Sequence, residues 1–218
     1  MQGEKCKSLA IEYRGVQGDR LFAVQNRKGK LGSGKNTRRF CHIDGLLKFR
    51  SFYRDDVPVI EFPNGNLVRG DELCVHNELS QALNQTVTLA QENRISHFDD
   101  SPVHIISSAA LRWLKMALPD SKIDFNRFRA NLLLDVAGNT PIEHQWIGKQ
   151  IQIGNHVRLK ITKLAERCIM TSTAQLNLPE DSQIFNYIIN ESQIMFGIYA
   201  RVINSGTVEI GDQVEFTA

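Results

Sequence analysis

Val157, Leu159 and Ile161 alternate with Arg158, Lys160 and Thr162. That period of two constrains the chain more than any other feature, because it describes a strand with one face in a core and one in water. Ile151, Gln152 and Ile153 repeat the alternation before Gly154 and Asn155, so the two runs read as a hairpin. Beyond Thr162 the pattern breaks, and Cys168 follows directly behind Arg167 in a segment rich in hydroxyls. A thiol beside a guanidinium is easier to ionise, and a thiolate is both a nucleophile and a soft metal ligand. A buried cysteine acting as a small hydrophobe fits the same spacing. The residues alone leave both readings open.

The rest of the chain is punctuated in the same short units. Strands are expected at 8–13, 20–25, 57–62, 66–68, 86–89, 103–106 and 196–203, with a hairpin turn at 27–30 and another at Pro63-Asn-Gly-Asn66. Asp71 is expected to cap a helix through about Leu83, with Leu73, His76, Leu79, Ala82 and Leu83 on one face. His76 there reads as a core or boundary histidine. Ser107 or Ser108 caps a second helix, 109–118, which Pro119 stops, and 180–191 is a short helix or covering loop. Many short strands with at most three helices make the chain mainly β, in the α+β class.

Composition excludes several partners. With 218 residues and 42% hydrophobic, the chain can bury one sizeable core or two small ones. A net charge of +2 is too small to imply nucleic acid. No apolar run approaches the ~20 residues of a membrane span, and residues 1–7 show no signal-peptide core. Cys6, Cys41, Cys74 and Cys168 are far apart, which argues against zinc and for reduced thiols in the cytoplasm. Gly29-Lys-Leu-Gly-Ser-Gly34-Lys35-Asn36 is one residue away from a nucleotide-binding loop. Asn36 stands where the magnesium-holding hydroxyl belongs, and a hairpin turn stands where a buried strand should lead in.

Lys163-Leu-Ala-Glu-Arg-Cys168-Ile-Met-Thr-Ser-Thr173 resembles the cysteine segment of the MOSC domain, the domain that ends molybdenum-cofactor sulfurases. Further motifs are similar in colinear order: Gly18-Asp19-Arg20, the Gly-Ser-Gly-Lys35 loop, Asp99-Asp-Ser101-Pro102, and Phe128-Arg129-Ala130-Asn131. Ala130 departs from the family's proline. The terminal strands, with Gly197, Tyr199, Gly206, Gly211 and Asp212, are similar too. The resemblance implies a single domain over 1–218, a β-barrel of mixed strands with a few peripheral helices. Residues 1–90 resemble the N-terminal barrel region and 91–218 the core.

It also implies a molybdenum cofactor (molybdopterin). Cys168 would then be the metal ligand and catalytic thiolate, with Asp99 a second catalytic group. Arg20, Lys35, Ser101, Arg129 and Asn131 would hold the cofactor. Two functions are compatible with the family. One is reduction of N-hydroxylated small molecules, with electrons from a partner reductase, as in amidoxime-reducing proteins. The other is a carrier, in which Cys168 holds a persulfide or passes cofactor to a receiving enzyme. The opening Met1-Gln2-Gly3-Glu4 fits the family just after a Val-Lys-Ser, so Met1 is expected to be an internal residue of a longer relative. An edge strand, a lysine and a serine would then precede it.

Overall fold

The alternation at Val157 becomes a ten-residue strand, Val157–Glu166, longer than the pattern itself. In the computed structural model, which describes residues 1–217, this strand lies inside a six-stranded sheet. Its order is Leu132–Leu134, Val103–Ser107, Met195–Asn204, Val157–Glu166, Gln150–Ile153 and Val214–Thr217. All neighbours are antiparallel except Val103–Ser107 with Leu132–Leu134. That parallel pair is joined across the helix Ser108–Ala117, as parallel strands require a crossover. Three register shifts interrupt the pairing of Val157–Glu166 with Met195–Asn204. Each such bulge bends its strand and tightens the twist, and the sheet curls into a half-barrel.

The two faces of this sheet bury different clusters. Val103, Ile105, Ile151, Leu159, Ile161, Ile198 and Ala200 fill the inside of the curl. Ile106 and Phe196 point the other way, into Ala110, Leu114, Ile184 and Ile188 of two covering helices. The strand Val103–Ser107 is therefore buried along its whole length, and His104, one residue from Val103 and from Ile105, falls on the helix side. The Ser107 hydroxyl accepts from the Ala110 amide at 2.9 Å, which caps the first helix. The same hydroxyl donates to the fully buried Glu143 at 2.6 Å. Asp181 caps the second helix, Ser182–Ser192, through the Gln183 amide.

These elements belong to one of two compact units, formed by Cys6–Gln17, Asp99–Thr173 and the chain from Leu178. It also contains a three-stranded sheet of Gly206–Glu209, Ser8–Glu12 and Gly15–Val16. The other unit comprises Met1–Lys5, Gly18–Phe98 and Ala174–Asn177. One of its sheets runs Phe40–His42, Leu31–Ser33, Phe22–Asn26, Val87–Gln91, and another Arg50–Arg54, Val57–Glu61, Leu67–Arg69. Val24, Ile43, Phe49, Ile60 and Leu79 form its core.

The helix of this unit corrects the sequence expectation. It spans Val75–Ala82, and Asp71 pairs with Arg69 at 3.0 Å instead of capping it. Leu73 lies outside the helix and is fully exposed. The buried row is Val75, Leu79 and Leu83, spaced by four. Ala82 and His76 are exposed, and His76 Nδ1 accepts from the Leu89 amide at 3.1 Å. Among the described residues there are three α-helices, and none is long and apolar enough to cross a membrane.

Candidate functional site

Where the strand Val157–Glu166 ends, Arg167 and Cys168 leave the sheet and a short 3-10 turn, Ile169–Thr171, follows. The Arg167 amide donates to the Ile194 carbonyl at 2.8 Å, which anchors the exit. The Cys168 carbonyl accepts twice from Thr171, from its amide and its hydroxyl, each at 3.1 Å. The backbone of the cysteine is thus fixed from both sides, and the residue is half-buried. Cys168 is a free thiol.

Arg167 does not serve the thiol in the way its position in the sequence suggests. Its guanidinium donates to the Phe128 carbonyl at 2.7 Å and meets His104 Nε2 at 3.3 Å. It also lies over the Phe128 ring, 5.7 Å from the centroid. A guanidinium only donates, so the partner in this contact is the Nε2 lone pair. His104 is buried, with its ring 5.1 Å from that of Tyr199. Sequence reasoning passed over His104; the available signal was a polar residue inside the apolar run Val103–Ile106.

Arg129 and Asn131 follow a second 3-10 turn, Phe125–Phe128, which Asp124 caps through the Asn126 amide at 2.8 Å. This turn packs against the turn Ile169–Thr171 behind Cys168. Arg129 closes it with φ 55°, a left-handed conformation that a non-glycine residue adopts only at a cost of about 1–2 kcal/mol. The apolar strand that follows begins at Leu132, directly after Asn131. The Asn131 side-chain oxygen accepts from the His104 amide at 2.9 Å, while its own amide donates to the His104 carbonyl at 2.8 Å. Asn131 thereby pins the parallel strands at their start, a role in the backbone as much as toward any ligand. Asp99 is exposed and Ser101 half-buried just before the same strand. Their neighbour Asp100 pairs with Lys163 at 2.7 Å, and the Ser101 hydroxyl points to Asp100 at 3.5 Å.

Arg20 and Lys35 lie in the other unit. Arg20 has φ 54° and pairs with Asp19, while its carbonyl is 3.1 Å from His97 Nδ1. The Lys35 ammonium is 5.1 Å from the centroid of the Phe40 ring. The loop around Lys35 does not have the form of a nucleotide site. Leu31–Ser33 pairs in parallel with Phe40–His42, and Asn36 Oδ1 accepts from the His42 amide at 2.8 Å. A strand follows the lysine, so no row of helix amides faces a phosphate there. Magnesium-dependent ATP or GTP hydrolysis is accordingly expected to be absent in a phosphate-release assay. Turnover that disappears in Lys35→Ala would overturn this.

A curled mixed sheet with a cysteine turn at the exit of its ten-residue strand places this chain in a known class. The MOSC domain family profile matches residues 92–215, and the chain belongs to that family. It is 27% identical over 191 residues to mitochondrial amidoxime reducing component 2 of Bos taurus, a match covering 81% of this chain. The chain spans about half the length of that relative, 52%. In fold it is similar to the YuaD protein of Bacillus subtilis, with a TM-score of 0.52 and 13% identity over 98% of this chain and 86% of that one.

Proposed function

We propose that this protein holds a molybdenum cofactor and reduces N-hydroxylated small molecules with electrons from a separate reductase. The observation that supports this reading most is the packing of the Cys168 turn against the turn that leads into Arg129 and Asn131. A soft thiolate and a planar cation are the two chemistries such a cofactor requires, one for the metal and one for its phosphate. The donor set fits the group. Among the described residues no three His, Cys, Asp or Glu side chains converge on one point, so a metal would have to bring its other ligands with it. A pterin dithiolene would do so, with Cys168 as the residue that would supply the protein sulfur.

When bound, the cofactor supplies the redox chemistry. Reduction of an N–OH group consumes two electrons and two protons and releases water. In this reading Cys168 would hold the metal and Arg129 the anionic end of the pterin. Asp99, exposed beside the half-buried Ser101, carries protons from solvent.

Arg129→Ala is expected to lower cofactor occupancy while the thermal unfolding transition stays in place. Loss of a charge-assisted hydrogen bond weakens binding by about 1.5–3 kcal/mol, roughly ten- to a hundredfold. The measurement is molybdenum and pterin content of protein purified from a host that makes the cofactor. Stoichiometric metal in the wild type, reduced in the variant, supports the enzyme. A labile sulfane sulfur on Cys168 without metal would overturn it in favour of the carrier.

A further inference from the structure

Arg127, two residues before Arg129, is wholly buried. The alternation of Arg127 and Arg129 about Phe128 would suit the start of a strand, yet Arg127 turns inward. Its Nε donates to the Lys122 carbonyl at 2.9 Å and one terminal nitrogen to the Pro179 carbonyl at 2.8 Å. The other terminal nitrogen reaches the Thr171 carbonyl at 3.4 Å. Thr171 is the residue whose amide and hydroxyl hold the Cys168 carbonyl. Pro179 stands two residues before Asp181, the cap of the helix Ser182–Ser192, and the Asp181 amide donates to the Ser172 carbonyl at 2.8 Å. The guanidinium therefore spans three main-chain segments: the approach to its own turn at Lys122, the Cys168 turn, and the entry to the covering helix.

We infer that Arg127 is a positioning residue that fixes Cys168 against the turn bearing Arg129. The planar guanidinium presents five donors in a rigid fork, so it can satisfy several carbonyls at set angles. A lysine keeps the charge but offers a single point of donors on a flexible stem. Burial pulls the Arg127 guanidinium below its usual range, while Asp181 and Asp124 push it back up; it stays charged at any physiological pH. Burying such a charge is costly. The return is that the cysteine and Arg129 are tied through one group. The catalytic meaning of this tie rests on the proposed function, but the tie itself does not.

The test is Arg127→Lys in the full chain without cofactor. Peptide-resolved alkylation by iodoacetamide would compare Cys168 with Cys6, Cys41 and Cys74, and amide exchange would be followed across 168–173 and 178–181. Losing the charged hydrogen bonds is expected to speed Cys168 alkylation about tenfold or more. Exchange in those segments should rise, while the other three thiols and the six-stranded sheet keep their rates. A folded Arg127→Lys protein with wild-type Cys168 alkylation overturns the inference. If that variant unfolds, Thr171→Val decides, since it keeps the shape of the buried side chain and loses the hydroxyl held on the Cys168 carbonyl. About threefold faster alkylation confined to Cys168 supports the tie, and an unchanged rate overturns it. If Cys168 is mobilised as expected but Cys168→Ser retains molybdenum-dependent activity, the tie stands and the proposed function fails.

Discussion

Cys168→Ser is expected to abolish molybdenum-dependent reduction of an N-hydroxylated substrate, while serine at Cys6, Cys41 or Cys74 leaves it intact. A hydroxyl is harder and far less acidic than a thiol, so it cannot complete the sulfur coordination of the metal. Cys41 and Cys74 lie in settings of another kind. Burial pushes the Cys41 thiol above its usual range. Cys74 is raised as well, by desolvation and by the Glu72 carboxylate 3.5 Å away. In both the shift favours the thiol, whereas the thiolate is the nucleophile and metal ligand. Neither lies in the unit that contains Cys168. The decisive measurement is turnover with a chemical electron donor, alongside metal content for each variant. Full activity in Cys168→Ser would remove the basis of the proposed function.

Gly197→Ala is expected to be the most destabilising small substitution in the half-barrel. Gly197 sits in the strand Met195–Asn204 with φ 84°. That conformation costs an L residue about 1–2 kcal/mol. A Cβ there would stand 2.8 Å from the Ile105 carbonyl oxygen, the His104 Nε2 and the Ile106 Cγ1. A backbone carbonyl in a fully buried strand cannot step aside, so overpacking adds about 1–3 kcal/mol. The combined loss, on the order of 3 kcal/mol, is a large share of a typical domain's ~5–15 kcal/mol. The His104 ring would also be driven from Arg167, the residue that leads into Cys168. Gly211→Ala is the control: φ is 99°, yet nothing lies within 4 Å of the added carbon. Urea midpoints for the two variants separate strain from collision. Equal shifts would mean that the contact with Ile105 contributes nothing.

The sequence by itself determined what depends on near neighbours along the chain. The period of two at Val157 gave a strand because alternation needs only local backbone geometry. Ser107, one of the two serines expected to do so, capped a helix because a cap acts within three residues. The hairpin turns at 27–30 and 63–66 formed as expected for the same reason. Where two local signals competed, the sequence misled. Asp71 looked like a cap, but the guanidinium of Arg69 was two residues away and took its carboxylate.

The tertiary structure alone decided where charge and polarity were spent. Arg127 and Arg129 are both arginines on the same short segment, yet one is wholly buried among carbonyls and the other half-buried in a left-handed turn. Arg167 neighbours Cys168 in the chain, but its guanidinium is committed to Phe128 and His104, 39 and 63 residues distant in sequence. Asn131 reads as a ligand, and in space its oxygen holds a strand amide. Hydrophobic periodicity repeats every few residues and leaves a trace in the sequence. A buried hydrogen bond needs only one donor and one acceptor that meet after the chain has folded, and it leaves none.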